Sequence, residues 1–132
     1  MKVPEGYYYT RNHEWIRKVG SYYEIGISDH AQEQLGEIVY LELPETGDEV
    51  TAGEAFGVVE STKAVSDVFA PASGTVSERN EFMLENDANL TLINEEPYSK
   101  GWLIRIVDVN ESDLEDLMDA SAYEEFIEEE SE

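Results

Sequence analysis

A chain of 132 residues suits one compact domain that buries its own core. Its 31 acidic side chains against 8 lysines and arginines give a formal net charge of −23, which repels nucleic acid and anionic membranes and leaves no basic patch for either. With no cysteine there is no disulfide, thiolate nucleophile or cysteine-based metal site, so any sulfur chemistry has to come from a cofactor.

In chain order, Met1–Tyr9 has neither the apolar core of a signal peptide nor an Arg/Ser-rich transit pattern, and no apolar run approaches the length of a membrane span. A soluble, cytoplasmic protein is expected. Tyr7–Tyr9 and Glu14–Lys18 read as strands, followed by a Gly20-Ser21 turn and the strand Tyr22–Ile27. Alternation along Tyr7-Tyr8-Tyr9 requires at least one ring to pack inward. Ser28 is placed to cap a short helix that Gly36 ends. Next come Ile38–Leu43, the turn Pro44–Asp48, and strands over Ala55–Ser61, Val65–Phe69, Thr75–Glu78 and Trp102–Val109, so that β-like runs fill residues 7–107. The glycine-led run Gly36-Glu37-Ile38-Val39 is echoed by Gly74-Thr75-Val76-Ser77, which would suit a flattened barrel or sandwich of two similar halves.

From Asp108 onward the character changes, with 12 of the 31 acids and no lysine or arginine. Ser112 with Glu115, and Ser121 with Glu124, are capping-box patterns. They predict two short helices that pack Leu114, Leu117 and Met118, then Tyr123, Phe126 and Ile127, onto the β body. Glu128–Glu132 are expected to fray into solvent. The single domain thus divides into an N-terminal hairpin (1–27), a body (28–107) and acidic C-terminal helices (108–132).

The acids are spread along the whole chain, while lysine is confined to Lys2, Lys18, Lys63 and Lys100. A docking patch for basic partners would be local. The spread suits a cytoplasm of high salt, where the Debye length falls to about 3 Å at 1 M and self-repulsion is screened. A halophilic source is expected, with a melting temperature that rises with potassium chloride.

Apolar residues alternate on both sides of Lys63 in Gly57-Val58-Val59-Glu60-Ser61-Thr62-Lys63-Ala64-Val65-Ser66-Asp67-Val68-Phe69, which places the lysine at or near a hairpin tip. A tip lysine is often only a solvated side chain. Lys63, however, is the only lysine or arginine among the 60 residues between Lys18 and Arg79. Its retention in a lysine-poor chain suggests a need for the amine, and a rigid exposed turn is what a lysine-modifying enzyme requires.

Glu60-Ser61-Thr62-Lys63-Ala64, followed by Ser66-Asp67 and Ala70-Pro71-Ala72-Ser73-Gly74, resembles the lipoylation hairpin of glycine cleavage H proteins. The resemblance extends over nearly the whole chain. His13-Glu14-Trp15, Ile25-Gly26-Ile27-Ser28-Asp29-His30-Ala31-Gln32, Leu35-Gly36-Glu37-Ile38-Val39, Asn94-Glu95-Glu96-Pro97-Tyr98 and Gly101-Trp102-Leu103 match in order. It implies a mainly β, lipoyl-domain-like barrel-sandwich hybrid with an added N-terminal hairpin, a short helix and C-terminal helices. It also implies a monomeric carrier that is not itself an enzyme, with lipoate in amide linkage on Lys63 and Glu60 and Ala64 in the modification motif. The implied partners are a lipoyl-attaching enzyme, glycine decarboxylase (P protein), aminomethyltransferase (T protein) and dihydrolipoyl dehydrogenase (L protein). The arm would carry an aminomethyl group from the first of these three to the second, and electrons to the third. Tethering lets one arm visit three sites at high effective concentration.

By the same resemblance, the loaded arm would fold into a protecting cleft formed by Asn12, Glu14, Gln34 and Asp67, with an acid holding the protonated amine. The sequence departs from the family pattern at two of these positions, with Asn12 where the family has Ser and Gln34 where it has His.

Related carriers fit less well. A biotinyl lysine sits between methionines, and the lipoyl domains of 2-oxo acid dehydrogenases are shorter and precede a linker and a catalytic core. An H-like lipoate relay and an unmodified acidic interaction module stay open. His13 and His30 read as structural, too few for a metal site, and Trp15 and Trp102 as partly buried core.

Overall fold

The structure, a computed structural model, describes residues 1–131. Nine strands form two antiparallel sheets. The larger has the order β1 (Tyr8–Tyr9), β2 (Glu14–Val19), β3 (Tyr22–Ile27), β9 (Ile104–Val107), β8 (Gly74–Arg79), β5 (Glu49–Val50). The smaller has β4 (Ile38–Glu42), β6 (Ala55–Ser61) and β7 (Val65–Phe69). Four helices accompany them: α1 (Asp29–Leu35), α2 (Glu81–Glu85), α3 (Thr91–Glu95) and α4 (Ala120–Ser131).

The N-terminal hairpin forms around Gly20-Ser21 as expected, and its register sets Trp15 opposite Gly26 and Val19 opposite Tyr22. Gly26 has to be glycine because a Cβ there would stand 2.6 Å from the Trp15 indole. That ring is fully buried, deeper than the sequence suggested, and its Nε1–H donates to the Pro97 carbonyl at 3.0 Å. Of the three tyrosines Tyr9 is the one fully buried, stacked on Tyr123 of α4 at 4.4 Å. Ser28 and Gly36 bound α1 as expected. The Ser28 hydroxyl accepts from the Ala31 N–H at 3.1 Å, and Gly36 (φ 82°) donates its N–H to the Gln32 carbonyl.

Two apolar clusters fill the space between the sheets. Ile16, Ile25, Val76, Ile104 and Ile106 lie in one, and Ile27, Ile38, Val59, Val68 and Leu103 in the other. A third seats α4 on the N-terminal segment through Tyr9, Trp15, Tyr123 and Ile127. Within the larger sheet Glu24 is buried, and its carboxylate accepts from Arg17 (Nε 3.1 Å, Nη2 2.9 Å) and Arg105 (Nε 3.0 Å). Two of the eight cationic side chains are therefore committed to one buried acid.

The structure corrects the sequence reading in five places. Residues 81–95 are helical rather than β-like: α2, a 3-10 turn (Asp87–Leu90) and α3 follow one another, and Met83, Leu90 and Ile93 plug the second cluster. The first C-terminal helix is only a 3-10 turn, Glu111–Asp116, and its cap is Asn110 rather than Ser112. Helix α4 begins two residues earlier than the serine pattern implied, with Asp119 accepting from the Ala122 N–H at 2.9 Å in place of Ser121. Asn and Asp compete well with Ser for a cap because their oxygen reaches the same orphan N–H groups. Met118, expected in a helix, is extended and exchanges two backbone hydrogen bonds with Tyr9. At the C-terminus α4 continues through Ser131 instead of fraying from Glu128; the expectation for Glu132 lies outside the described residues.

Candidate functional site

Strands β6 and β7 pair from Ala55 opposite Phe69 to Glu60 opposite Val65, leaving a tip at Ser61–Ala64. The Ser61 N–H donates to the Ala64 carbonyl at 2.8 Å, which closes the turn. Its hydroxyl then accepts from the N–H groups of Lys63 (3.2 Å) and Ala64 (3.1 Å). One serine side chain thus satisfies two backbone donors that an exposed turn would otherwise leave to water.

A second fastening comes from outside the hairpin. The Thr62 N–H donates to the Glu37 carbonyl at 3.2 Å, tying the tip to the connection between α1 and β4. Asn94 of α3 holds that connection in place: its amide nitrogen donates to the Gly36 carbonyl (2.8 Å), and its oxygen accepts from the Ile38 N–H (3.1 Å). Ser61 was legible only as part of a motif and Asn94 only as part of a matching segment. Neither the turn staple nor the clamp has a local sequence signature.

On this frame Lys63 is exposed, and among the described residues it enters no ion pair and lies over no ring. Gly36 lies beside its stem: a Cβ there would meet the Lys63 Cε at 3.6 Å. Across the sheet Tyr40, Glu60 and Val65 are register partners, so their side chains share one face. Val65 is 68% exposed and Tyr40 44%, on either side of Glu60 in that row. A primary amine on a doubly pinned tip, unencumbered by a carboxylate, suits acylation by a long-chain acid such as lipoate.

The four cleft residues do not form one hydrogen-bonded group. Glu14 is buried (2% exposed), with one carboxylate oxygen accepting from the Thr10 hydroxyl (2.6 Å) and the other from the Phe69 N–H (3.1 Å). Burial pushes the carboxyl above its ordinary value, against the pull of those two donors. Asn12 is exposed on the same turn, its N–H donating to the Thr10 hydroxyl at 3.2 Å. Asp67 is exposed on β7, two residues before the Phe69 that Glu14 contacts, and Gln34 is exposed near the end of α1. No hydrogen bond among the described residues joins Asn12, Gln34 and Asp67 to one another.

Residues 7–130 match the family model for the glycine cleavage H-protein. The chain belongs to that family. It is 57% identical over 129 residues to the glycine cleavage system H protein of Anaeromyxobacter sp. (strain K), covering 98% of each chain. To that of Carboxydothermus hydrogenoformans it is 50% identical over 130 residues, again covering 98% of each. The crystal structure of a glycine cleavage system H protein from Mycobacterium marinum superposes with a TM-score of 0.80 at 36% identity, covering 98% of this chain and 99% of that one. The two-sheet architecture is accordingly the barrel-sandwich hybrid of H proteins, and membership makes the chain a non-catalytic carrier subunit.

Proposed function

We propose that Lys63 carries lipoate in amide linkage and that the chain serves as the lipoylated carrier of the glycine cleavage system. The observation that carries the assignment is the tip itself: an exposed, unpaired amine on a turn stapled by Ser61 and anchored through Thr62 to Glu37. When bound, lipoate would supply a cyclic disulfide that is reductively opened on taking up an aminomethyl group at glycine decarboxylase, and that is left as a dithiol for dihydrolipoyl dehydrogenase to reoxidise once aminomethyltransferase has removed the group.

This chain's own residues do the positioning. The pinned tip holds the lysine clear of the body with little rearrangement on docking, which lowers the ordering cost for each partner. Glu60 and Ala64 flank the amine within the modification motif. Amide formation removes the lysine charge. For the loaded arm, the resting face runs over Asn12, Gln34 and Asp67. Glu14 supports that face from within rather than meeting the arm at the surface. The carrier works as a monomer in the cytoplasm; no helix among the described residues is long and apolar enough to cross a membrane.

Glycine–bicarbonate exchange with glycine decarboxylase tests the reading. Lipoylated wild-type chain should sustain exchange, and Lys63→Arg taken through the same lipoylation should give none. A lipoylated chain that supported no exchange would leave a lipoate relay in place of glycine cleavage.

A further inference from the structure

Three segments far apart in the sequence bring metal-ligating side chains together beneath α4. His13 lies in the turn between β1 and β2, His30 in the first turn of α1, and Glu130 in the last turn of α4. One ligand atom from each lies within 4.8 Å of the other two. The His13 Nε2 is 3.0 Å from the Glu130 Oε1, the His30 Nε2 is 4.0 Å from the same oxygen, and the two imidazole centroids are 4.6 Å apart.

The decisive feature is His30. Its side chain is only 9% exposed, and its Nε2 is buried with no hydrogen-bond partner. A buried ring nitrogen left unsatisfied is costly unless something completes it. His13 adds a second irregularity, being one of two non-glycine residues at positive φ (69°) among the described residues, with its ring against Tyr123 and Phe126 of α4. Its other ring nitrogen is already oriented: the His13 Nδ1 is 2.7 Å from the Tyr123 hydroxyl, itself 2.7 Å from the Ser28 hydroxyl. At 3.0 Å the His13 Nε2–H donates to the Glu130 carboxylate; a metal that displaced this proton would find the ring held from behind by an Nδ1–H···Tyr123···Ser28 hydrogen-bond chain, as metal-bound histidines are commonly held.

We infer that His13, His30 and Glu130 form a binding site for a divalent transition-metal ion of the zinc type, with water completing the coordination. Two imidazole nitrogens and one carboxylate suit a borderline metal and disfavour calcium and magnesium, which prefer all-oxygen shells. Metal–ligand bonds of about 2.0–2.2 Å place neighbouring ligand atoms roughly 3.4 Å apart, between the two contacts to Glu130. Electrostatics favour a cation here as well. The last turn of α4 carries Glu128, Glu129 and Glu130 with no basic residue, at the negative end of the helix dipole. Bound metal would clip α4 to the N-terminal turn and to α1, adding to the contacts that Tyr123 and Phe126 already make there.

Zinc titration of the full chain by calorimetry, in excess magnesium to mask nonspecific carboxylate binding, tests this. Wild type should bind one zinc per chain, and cobalt(II) substitution should give the visible bands of a low-coordinate nitrogen–oxygen site. Zinc at a hundredfold excess over Kd should raise Tm by roughly 5–10 °C. Glu130→Gln changes an exposed residue and should keep the fold while weakening binding at least tenfold; His30→Gln should remove it, with circular dichroism confirming that each variant is folded. Stoichiometric binding that is weakened at least tenfold by Glu130→Gln and abolished by His30→Gln supports the site. Absence of saturable zinc binding, or wild-type affinity retained by either folded variant, overturns it.

Discussion

Substituting Glu24 by Gln probes how this acid-rich chain uses its few cations. The buried carboxylate accepts three charge-assisted hydrogen bonds, two from Arg17 and one from Arg105. Removing one partner of a buried ion pair costs about 3–5 kcal/mol, because the other charge is left uncompensated. Here the cost is smaller. The Arg17 side chain is 34% exposed and that of Arg105 23%, so both guanidinium groups can turn toward water. Arg105 also keeps its position over the Trp102 ring (4.0 Å) and its bond to Glu78. A loss of about 2–3 kcal/mol follows, or a Tm fall of roughly 7–12 °C for a domain of this size. Differential scanning calorimetry at low salt and at 1 M potassium chloride is the assay. The loss should persist at 1 M, where exposed pairs are screened and buried ones are not. A fall under 3 °C, or one that vanished in salt, would refute the assignment of this cluster as a buried, stabilising network.

Other outcomes follow from the same structure. Burial raises the Glu14 carboxyl, so the folded chain holds that proton at pH values where the unfolded chain has released it. This group's contribution is therefore complete below the unfolded value and lost as pH rises through the folded one. Urea unfolding should show Glu14→Gln gaining on wild type between pH 4 and pH 7; a pH-independent difference would contradict this. Ser61→Ala removes the acceptor for two tip N–H groups, at about 1 kcal/mol. Amide exchange at Lys63 and Ala64 should quicken roughly fivefold, lipoylation should lose a few-fold in kcat/KM, and Tm should fall by roughly 3–4 °C; unaltered exchange would show that the staple is dispensable. A net charge of −23 with Glu124, Glu125, Glu128 and Glu129 all exposed on α4 implies strong self-repulsion. Tm should rise by several degrees from low salt to molar potassium chloride, and a flat profile would argue against adaptation to salt.

What could be read from the sequence was local. The hairpin strands, the Lys63 tip and the Ser28 and Gly36 bounds of α1 follow from alternation and caps that span a few residues. Residues 81–95 hid their helices because each piece is about one turn long and is held by single buried side chains, Met83, Leu90 and Ile93, rather than by a continuous apolar stripe. Glu14 was indistinguishable from the surface acids around it, since the N–H that explains its burial belongs to Phe69, 55 residues away. Glu24 was hidden likewise, its second arginine lying 81 residues along the chain. The grouping of His13, His30 and Glu130 was invisible for the same reason, since it depends on α4 folding back onto the N-terminal turn. Family resemblance reached the carrier function and the lysine. It did not foretell that Glu14 has both carboxylate oxygens turned inward.

The central claim is that Lys63 bears the lipoyl arm, and an intact mass spectrum of the chain isolated from its source, with peptide mapping across Gly57–Phe69, tests it most directly. The account predicts a mass increment of one lipoyl group per chain, localised to Lys63. An unmodified Lys63 that also stayed unmodified after incubation with a lipoyl ligase and lipoate would contradict it.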